Sequence, residues 1–404
     1  MNRRGFLGGS LAACAAGAND RIGIGMIGCG GRGLLKEVLQ FAAESNVEVT
    51  AICDTWRRQR EAAAASVKQA SGREPRSFVH YQELLALKEV DAVVIGTPDH
   101  QHSTQLTAAV RAGKDVYVEK PLAMDMKELV EAVDTVKRSD RVVQMGTQVR
   151  SSPNVVAARA FVAAGGLGKI LKVDQSRNLY RPYWHSFGQR KVEEADVDWK
   201  AFLMHRKYRP FNADQYAAWY GYREFSRGPH ANLAVHFFDL VHFITGAQLP
   251  RRVAALGGIY RWKDSRTCPD SVECTLEYPE GFLVRYSTVF GTNAGTHLKF
   301  FGTRGVMDCG PAAGRNTTVR PEPFELSGAG SQEPDRIAEG TRIGEAPSTH
   351  HMKNWLDCLR SRQAPMAPID AGYAHSVTVI MADEALLRGA RMIYDPKKRE
   401  IREG

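Results

Sequence analysis

Residues 21–39 read Arg21-Ile-Gly-Ile-Gly-Met-Ile27, then Gly28-Cys29-Gly30-Gly31-Arg32-Gly33, then Leu34-Leu35-Lys36-Glu37-Val38-Leu39. The first piece is a short apolar run of strand type, and the last carries its apolar residues at helical spacing. A GxGxxG held between strand and helix predicts a backbone cradle for phosphate, with Gly31 and Arg32 inside it. Gly28 permits the tight turn, Gly30 lets the backbone approach a pyrophosphate, and Gly33 lets helix and strand pack closely. Free N–H groups and the positive helix end then face the anion.

Glycine is common in turns, so the stretch needs support from its surroundings. Val47–Cys53 reads as a second strand ending at Asp54, which falls 21 residues after Gly33. A ribose-binding carboxylate is expected about 20 residues on. Asp54 would repel a 2′-phosphate, so NAD is expected over NADP, with Arg57 and Arg58 close enough to soften the preference. Further apolar runs at 91–96, 115–118 and 141–145 alternate with helical patterns at 57–70, near 106–112 and at 125–138. That alternation predicts a doubly wound parallel sheet, whose ligands bind at the carboxyl ends of the strands. Thr97, Pro98 and His102 follow one strand end, Glu119 and Lys120 the next, and Gln148 the last. All join the glycine turn and Asp54 as candidate cofactor contacts.

From about 150 the pattern changes. A helix near 153–164 leads to a strand at 170–177, then to a long aromatic stretch at 178–228 holding Tyr180, Tyr183, Trp184, His185, Trp199, Trp219, Tyr220 and Tyr222. Long ordered loops commonly serve binding, and aromatic faces suit the CH surfaces of sugars; Tyr180 is taken as a substrate contact. Residues 232–242 predict a helix with Asn232, His236 and Asp239 on one face. Strands follow at 252–260, 272–278, 282–290 and 296–301. In 282–290 an apolar set alternates with a half-polar set, which predicts a mostly antiparallel open sheet with helices on one face and a subunit interface on the other. Residues 311–345 read as a surface arm, and helices near 349–362 and 370–390 close the fold. The fold class is therefore α/β: an N-terminal Rossmann domain at 20–148, and a C-terminal α/β domain at 149–404 for substrate binding and oligomerisation.

The chain has 404 residues, 43% hydrophobic and 25% charged, with a formal net charge of +9. That is the balance of a two-domain globular protein. Its basic residues are dispersed, which argues against a nucleic-acid partner. No apolar run reaches the ~20 residues of a membrane span. None of the seven cysteines forms a CxxC pair and no zinc spacing occurs, so no metal is expected; Cys268 and Cys274 are candidates to lie close enough in space to pair, though nothing in the sequence requires it. Residues 1–18 have the layout of an export signal: Arg3-Arg4 followed by Gly-Phe-Leu resembles a twin-arginine leader, which implies a periplasmic location. Leu11-Ala12-Ala13-Cys14 also resembles a lipoprotein box, with Cys14 as the anchor.

The motifs together resemble the glucose–fructose oxidoreductase, inositol dehydrogenase and MocA family. They are GxGxxG at 28–33, Asp54, the Thr97-Pro98 turn reaching His102, Glu119-Lys120-Pro121, and Gly165-Gly-Leu-Gly-Lys-Ile170. The resemblance implies an NAD(P)-dependent oxidoreductase acting on CH–OH groups of a sugar or polyol, with Lys120 near the nicotinamide and the reacting hydroxyl. It also implies a substrate-side histidine, His236, preceded by Asn232 where the family has aspartate; Asn232 can orient His236 but carries no charge. Asp99 stands where an asparagine is common. Lys120 and His236 are thus the catalytic candidates, and Lys120, Tyr180, Asn232 and His236 the substrate-binding ones. The alternatives are a glycoside-cleaving enzyme that works by transient oxidation on tightly held NAD, and a non-catalytic dinucleotide sensor. An intact Glu-Lys-Pro leans towards a dehydrogenase. The expected assembly is a homodimer or homotetramer.

Overall fold

A computed structural model describes residues 20–182, 184–187, 190–310, 317–320, 337 and 339–404. The expected export signal, with Arg3, Arg4 and Cys14, lies outside the described residues, as do Tyr183 and much of the arm at 311–345.

Six strands form the first sheet: β1 Ile22–Ile27, β2 Val47–Cys53, β3 Arg76–Phe78, β4 Ala92–Ile95, β5 Asp115–Val118 and β6 Val143–Met145. They are all parallel, in the order β3-β2-β1-β4-β5-β6. All four residues of β4 are buried, as a parallel strand covered on both faces requires. Chain direction along the sheet reverses between β1 and β4, and a crevice opens above their carboxyl ends. Local signals bound the helices. Asp125 caps Met126–Lys137 by accepting from the Glu128 N–H at 2.9 Å. Gly113 adopts φ 76° just past the helix His102–Arg111.

The second sheet has ten strands: β7 Ile170–Ser176, β8 Arg252–Gly258, β9 Ser271–Tyr278, β10 Phe282–Val289, β11 His297–Gly302, β12 Gly305–Asp308, β13 Thr318–Arg320, β14 Thr341–Arg342, β15 Met392–Asp395 and β16 Glu400–Glu403. Their order is β14-β13-β12-β11-β7-β10-β9-β8-β15-β16, antiparallel except for the β7–β10 pair. On β10 the alternation is as expected: Phe282, Val284, Tyr286 and Thr288 are buried beneath helices, while Leu283 and Val289 face outward. The described part of the arm adds β13 and β14 to one edge, and the hairpin β15–β16 finishes the other. Cys268 and Cys274 are both free thiols, so the suggested pairing does not form.

One late helix packs on the first sheet. The helix His351–Ser361 returns to the first sheet, where Met352, Trp355 and Leu356 share a core with Ile24, Val94 and Tyr117. A second core runs without a break from Ile27 and Val118 through the helix Ile369–Arg388 to Val284 and Phe300. Among the described residues, no helix is long and apolar enough to cross a membrane.

Candidate active site

The glycine turn is built by its neighbours. Gly28 N–H donates to Cys53 O and Gly96 N–H to Ile27 O, both at 2.8 Å, so the ends of β1, β2 and β4 are tied together. Gly28 has φ +87°, and a Cβ there would lie 2.7 Å from the Gly96 carbonyl carbon. A Cβ on Gly30 would meet nothing within 4 Å: the space above it is open, as the approach of a pyrophosphate requires. Gly33 departs from expectation. A Cβ there also meets nothing, so its role is conformational; it starts the helix Leu34–Phe41 at φ 78°, and the close packing falls to Gly28. Gly30→Val is therefore expected to leave stability within about 0.5 kcal/mol while abolishing dinucleotide binding. Gly28→Ala should cost about 1–3 kcal/mol. Denaturant unfolding and titration with NADH separate the two; undiminished binding by Gly30→Val would sink the cradle.

Above the turn lies a cleft of about 650 Å³ between the domains. It is lined by Gly28, Gly30, Gly31, Arg32 and Asp54 from one side of the switch point, and by Thr97, Pro98, His102, Glu119 and Lys120 from the other. Asp54 accepts from the Cys29 N–H at 2.8 Å and the Trp56 N–H at 2.9 Å, and burial raises its pKa. Two carboxylate oxygens have about four lone-pair sites, so capacity remains for a diol. Arg32 pairs with Glu119 at 2.8 Å, and the Gln148 amide, oriented with its oxygen outward, accepts from Arg32 at 3.0 Å. Gln148 thus supports the turn from outside the lining. His102 is a tie: its ring nitrogens sit 2.7 Å from Pro121 O and 2.7 Å from Thr97 O, leaving no ring nitrogen for a ligand.

Lys120 is held from the opposite domain. Residues His230–Ala234 form a π-helical turn, a widening often found at functional sites. Lys120 Nζ donates to Asn232 O at 3.1 Å in that turn. Burial lowers the Lys120 pKa, with Asp99 and Glu119 opposing the shift. Asp99, which stands where the family commonly has asparagine, belongs to the same cluster. It is 2% exposed and accepts from Ser226 Oγ at 2.8 Å, and burial raises its pKa to about 6.

Asn232 does not orient His236. Its amide is drawn to Ser226 Oγ at 2.8 Å and Gly228 O at 2.9 Å in the preceding loop, and the wide turn interrupts the i,i+4 spacing behind that expectation. His236 does not line the cleft. It is half-buried within electrostatic reach of Lys120, and burial together with the Lys120 charge pushes its pKa well below the ordinary value, so the imidazole is neutral. Asp239, the third polar residue of that helix, is a buried ion-pair partner of Arg150.

The aromatic stretch divides. Trp184, Trp199 and Tyr222 are buried in small cores, whereas Trp219 and Tyr220 stack with ring centroids 3.6 Å apart and line the cleft. Tyr180 is 52% exposed and stands outside the lining; its loop position, anchored by Asn293, carries it outward. Ser226 and Asp196, missed in the sequence, carry no spacing signal, since Ser226 meets Asp99 and Asp196 meets Arg57 and Arg58 only through tertiary contacts.

The family model described as "Oxidoreductase family, NAD-binding Rossmann fold" matches residues 22–147, and its companion, "Oxidoreductase family, C-terminal alpha/beta domain", matches residues 200–390. A glycosyl hydrolase family 109 protein of Shewanella sp. (strain W3-18-1) is 28% identical over 198 residues, 44% of this chain. The match spans 43% of that relative's length. Among solved structures, aldose-aldose oxidoreductase from Caulobacter crescentus superposes with TM-score 0.69 at 16% identity, over 92% of this chain and 99% of that one. The WlbA dehydrogenase from Bordetella pertussis, in complex with NADH and UDP-GlcNAcA, gives TM-score 0.68 at 19% identity, over 93% and 99%. With both halves of the family matched in order on one chain, this protein belongs to the Gfo/Idh/MocA oxidoreductase family.

Proposed function

We propose that the chain is an NAD-dependent oxidoreductase that moves hydride between bound nicotinamide and a hydroxyl carbon of a sugar, polyol or glycoside. The observation that carries this reading is Lys120: a half-buried lysine with a lowered pKa that lines the cleft beside the glycine turn and is held by the Asn232 carbonyl. When bound, the nicotinamide accepts or returns the hydride. The backbone at 28–33 would hold the pyrophosphate and Asp54 the ribose diol. Lys120 polarises the substrate oxygen and lowers the pKa of its hydroxyl. The hydroxyl proton passes to Lys120 in its neutral amine form, which the lowered pKa favours, or by way of Lys120 to neutral His236.

The cofactor is read as resident. Residues from the second domain are laid over the cleft rim: Asp198 N–H donates to Thr55 O at 2.9 Å, and Tyr216 OH meets Thr55 Oγ1 at 3.0 Å. Retention suits export in folded form through the twin-arginine-like start. A homodimer or homotetramer is supported by the outer sheet face, where Leu256 is 77% exposed and Leu283 and Val289 are exposed as well.

The relatives named as glycosyl hydrolases favour a second reading, redox-assisted glycoside cleavage on the same bound dinucleotide. The purified protein is expected to show the reduced-nicotinamide band on addition of sugars with no cofactor supplied. Sugar release with no lasting change in that band would select the glycosidase. No response even with NAD added would leave a dinucleotide sensor.

A further inference from the structure

The helix Arg57–Ser71 begins beside Asp54, and its first two residues are arginines. By composition that is a ready anion site: a positive helix end carrying two guanidinium forks. Left open, it would welcome the 2′-phosphate of NADP and offset the repulsion by Asp54.

It is not open. The Asp196 carboxylate, contributed by the second domain, reaches across and accepts from Arg57 Nε at 3.0 Å and from Arg58 Nε at 2.7 Å, with a further contact to Arg57 Nη2. Its side chain is 2% exposed. The neighbouring backbone fixes it there, because Val197 bridges Trp56 and Asp198 N–H donates to Thr55 O. Arg57 and Asp196 also line one hollow with Thr55, next to the cleft. The two guanidiniums hold the Asp196 carboxyl below the usual carboxylate range, so it is an anion at neutral pH.

We infer that Asp196 is a specificity-determining residue: an internal anion that takes the place of a 2′-phosphate on Arg57 and Arg58 and so restricts the cleft to NAD. This rests on reading the cleft as a dinucleotide site. A 2′-phosphate arriving here must displace a carboxylate already satisfied by both arginines, while NAD, which carries a free 2′-hydroxyl, makes no such demand.

The test is fluorescence titration of the full chain, stripped of co-purified nucleotide, with NADH and NADPH. Wild type should favour NADH. Asp196→Asn keeps the shape, removes the charge and frees Arg57, leaving Arg58 with only its exposed contact to Glu193 at 3.3 Å, so the NADPH-to-NADH affinity ratio should rise at least about 10-fold, the effect of one charge-assisted hydrogen bond. The ratio cancels any loosening of the loop that weakens both nucleotides equally. Arg57→Gln with Arg58→Gln, added to Asp196→Asn, should return the ratio to that of wild type. An unchanged ratio in Asp196→Asn, with both nucleotides bound, overturns the inference and leaves the cleft standing. Failure of wild type to bind either nucleotide overturns both.

Discussion

Lys120→Met is expected to slow the first hydride transfer by about 10³-fold while leaving NADH affinity within a few-fold, the signature of an interaction made with the reacting oxygen. Methionine keeps the length and much of the volume of the side chain, so the cleft stays filled. What is lost is the ammonium that Asn232 O aims into the cleft. Its pKa is lowered because desolvation outweighs the attraction of Asp99 and Glu119. That balance favours the neutral amine that proton exchange with a substrate hydroxyl requires. Lys120→Arg tests the same point from the other side: the charge remains, but a guanidinium does not give up its proton, so binding should survive and turnover should not. Rapid-mixing absorbance at the reduced-nicotinamide band gives the rate, and NADH titration gives the affinity. A Lys120→Met protein that still turns over at near wild-type rate would remove Lys120 from the chemistry and move attention to His236.

The first domain was legible because its signals are local. A buried parallel strand is a short apolar run, its end is marked by a glycine or a polar residue, and the phosphate turn lies within six residues. Most strands of the second sheet were legible for the same reason, through their alternation. What was not legible depends on partners far along the chain. The helix His351–Ser361 has an ordinary amphipathic pattern, and nothing in it says which sheet it will cover. The polar stripe Asn232, His236 and Asp239 looked like one functional face; instead Asp239 meets Arg150, from 89 residues upstream, and the Asn232 carbonyl meets Lys120, from 112 residues upstream. Among the aromatic residues of 178–228, only tertiary structure separates Trp219 and Tyr220, in the cleft, from Trp184 and Trp199, in cores.

Acidification below about pH 6 is expected to unfold the protein cooperatively, well above the range in which carboxylates alone would act. The cause is a set of buried neutral histidines. His100 and His230 are 0% exposed and His351 is 3% exposed. Burial holds His100 down at about 3, and His230 and His351 at about 4, against an ordinary value of 6.5. The ring nitrogens of His351 meet Ser151 Oγ and Met145 O, whereas neither nitrogen of His230 has a hydrogen-bond partner among the described residues. Above pH 6.5 these rings are neutral folded or unfolded, so they do not tilt the equilibrium. As pH falls through 6.5 the unfolded chain binds protons that the native state refuses, and stability drops with pH until the folded values are reached. Each unit of difference is worth about 1.4 kcal/mol, so each ring removes roughly 3 kcal/mol by pH 4. Three such rings together match the whole stability of an ordinary domain, about 5–15 kcal/mol. The Arg150–Asp239 pair adds its own loss only lower down, because its carboxylate pKa is depressed and its contribution fades below the unfolded value near 3.8. Tryptophan fluorescence followed from pH 8 to pH 3 should therefore show a midpoint between about 4 and 5.5, and His230→Leu should shift it downward. A midpoint below pH 3 would mean that these rings take up protons in the native state, and that their burial is not what the fold requires.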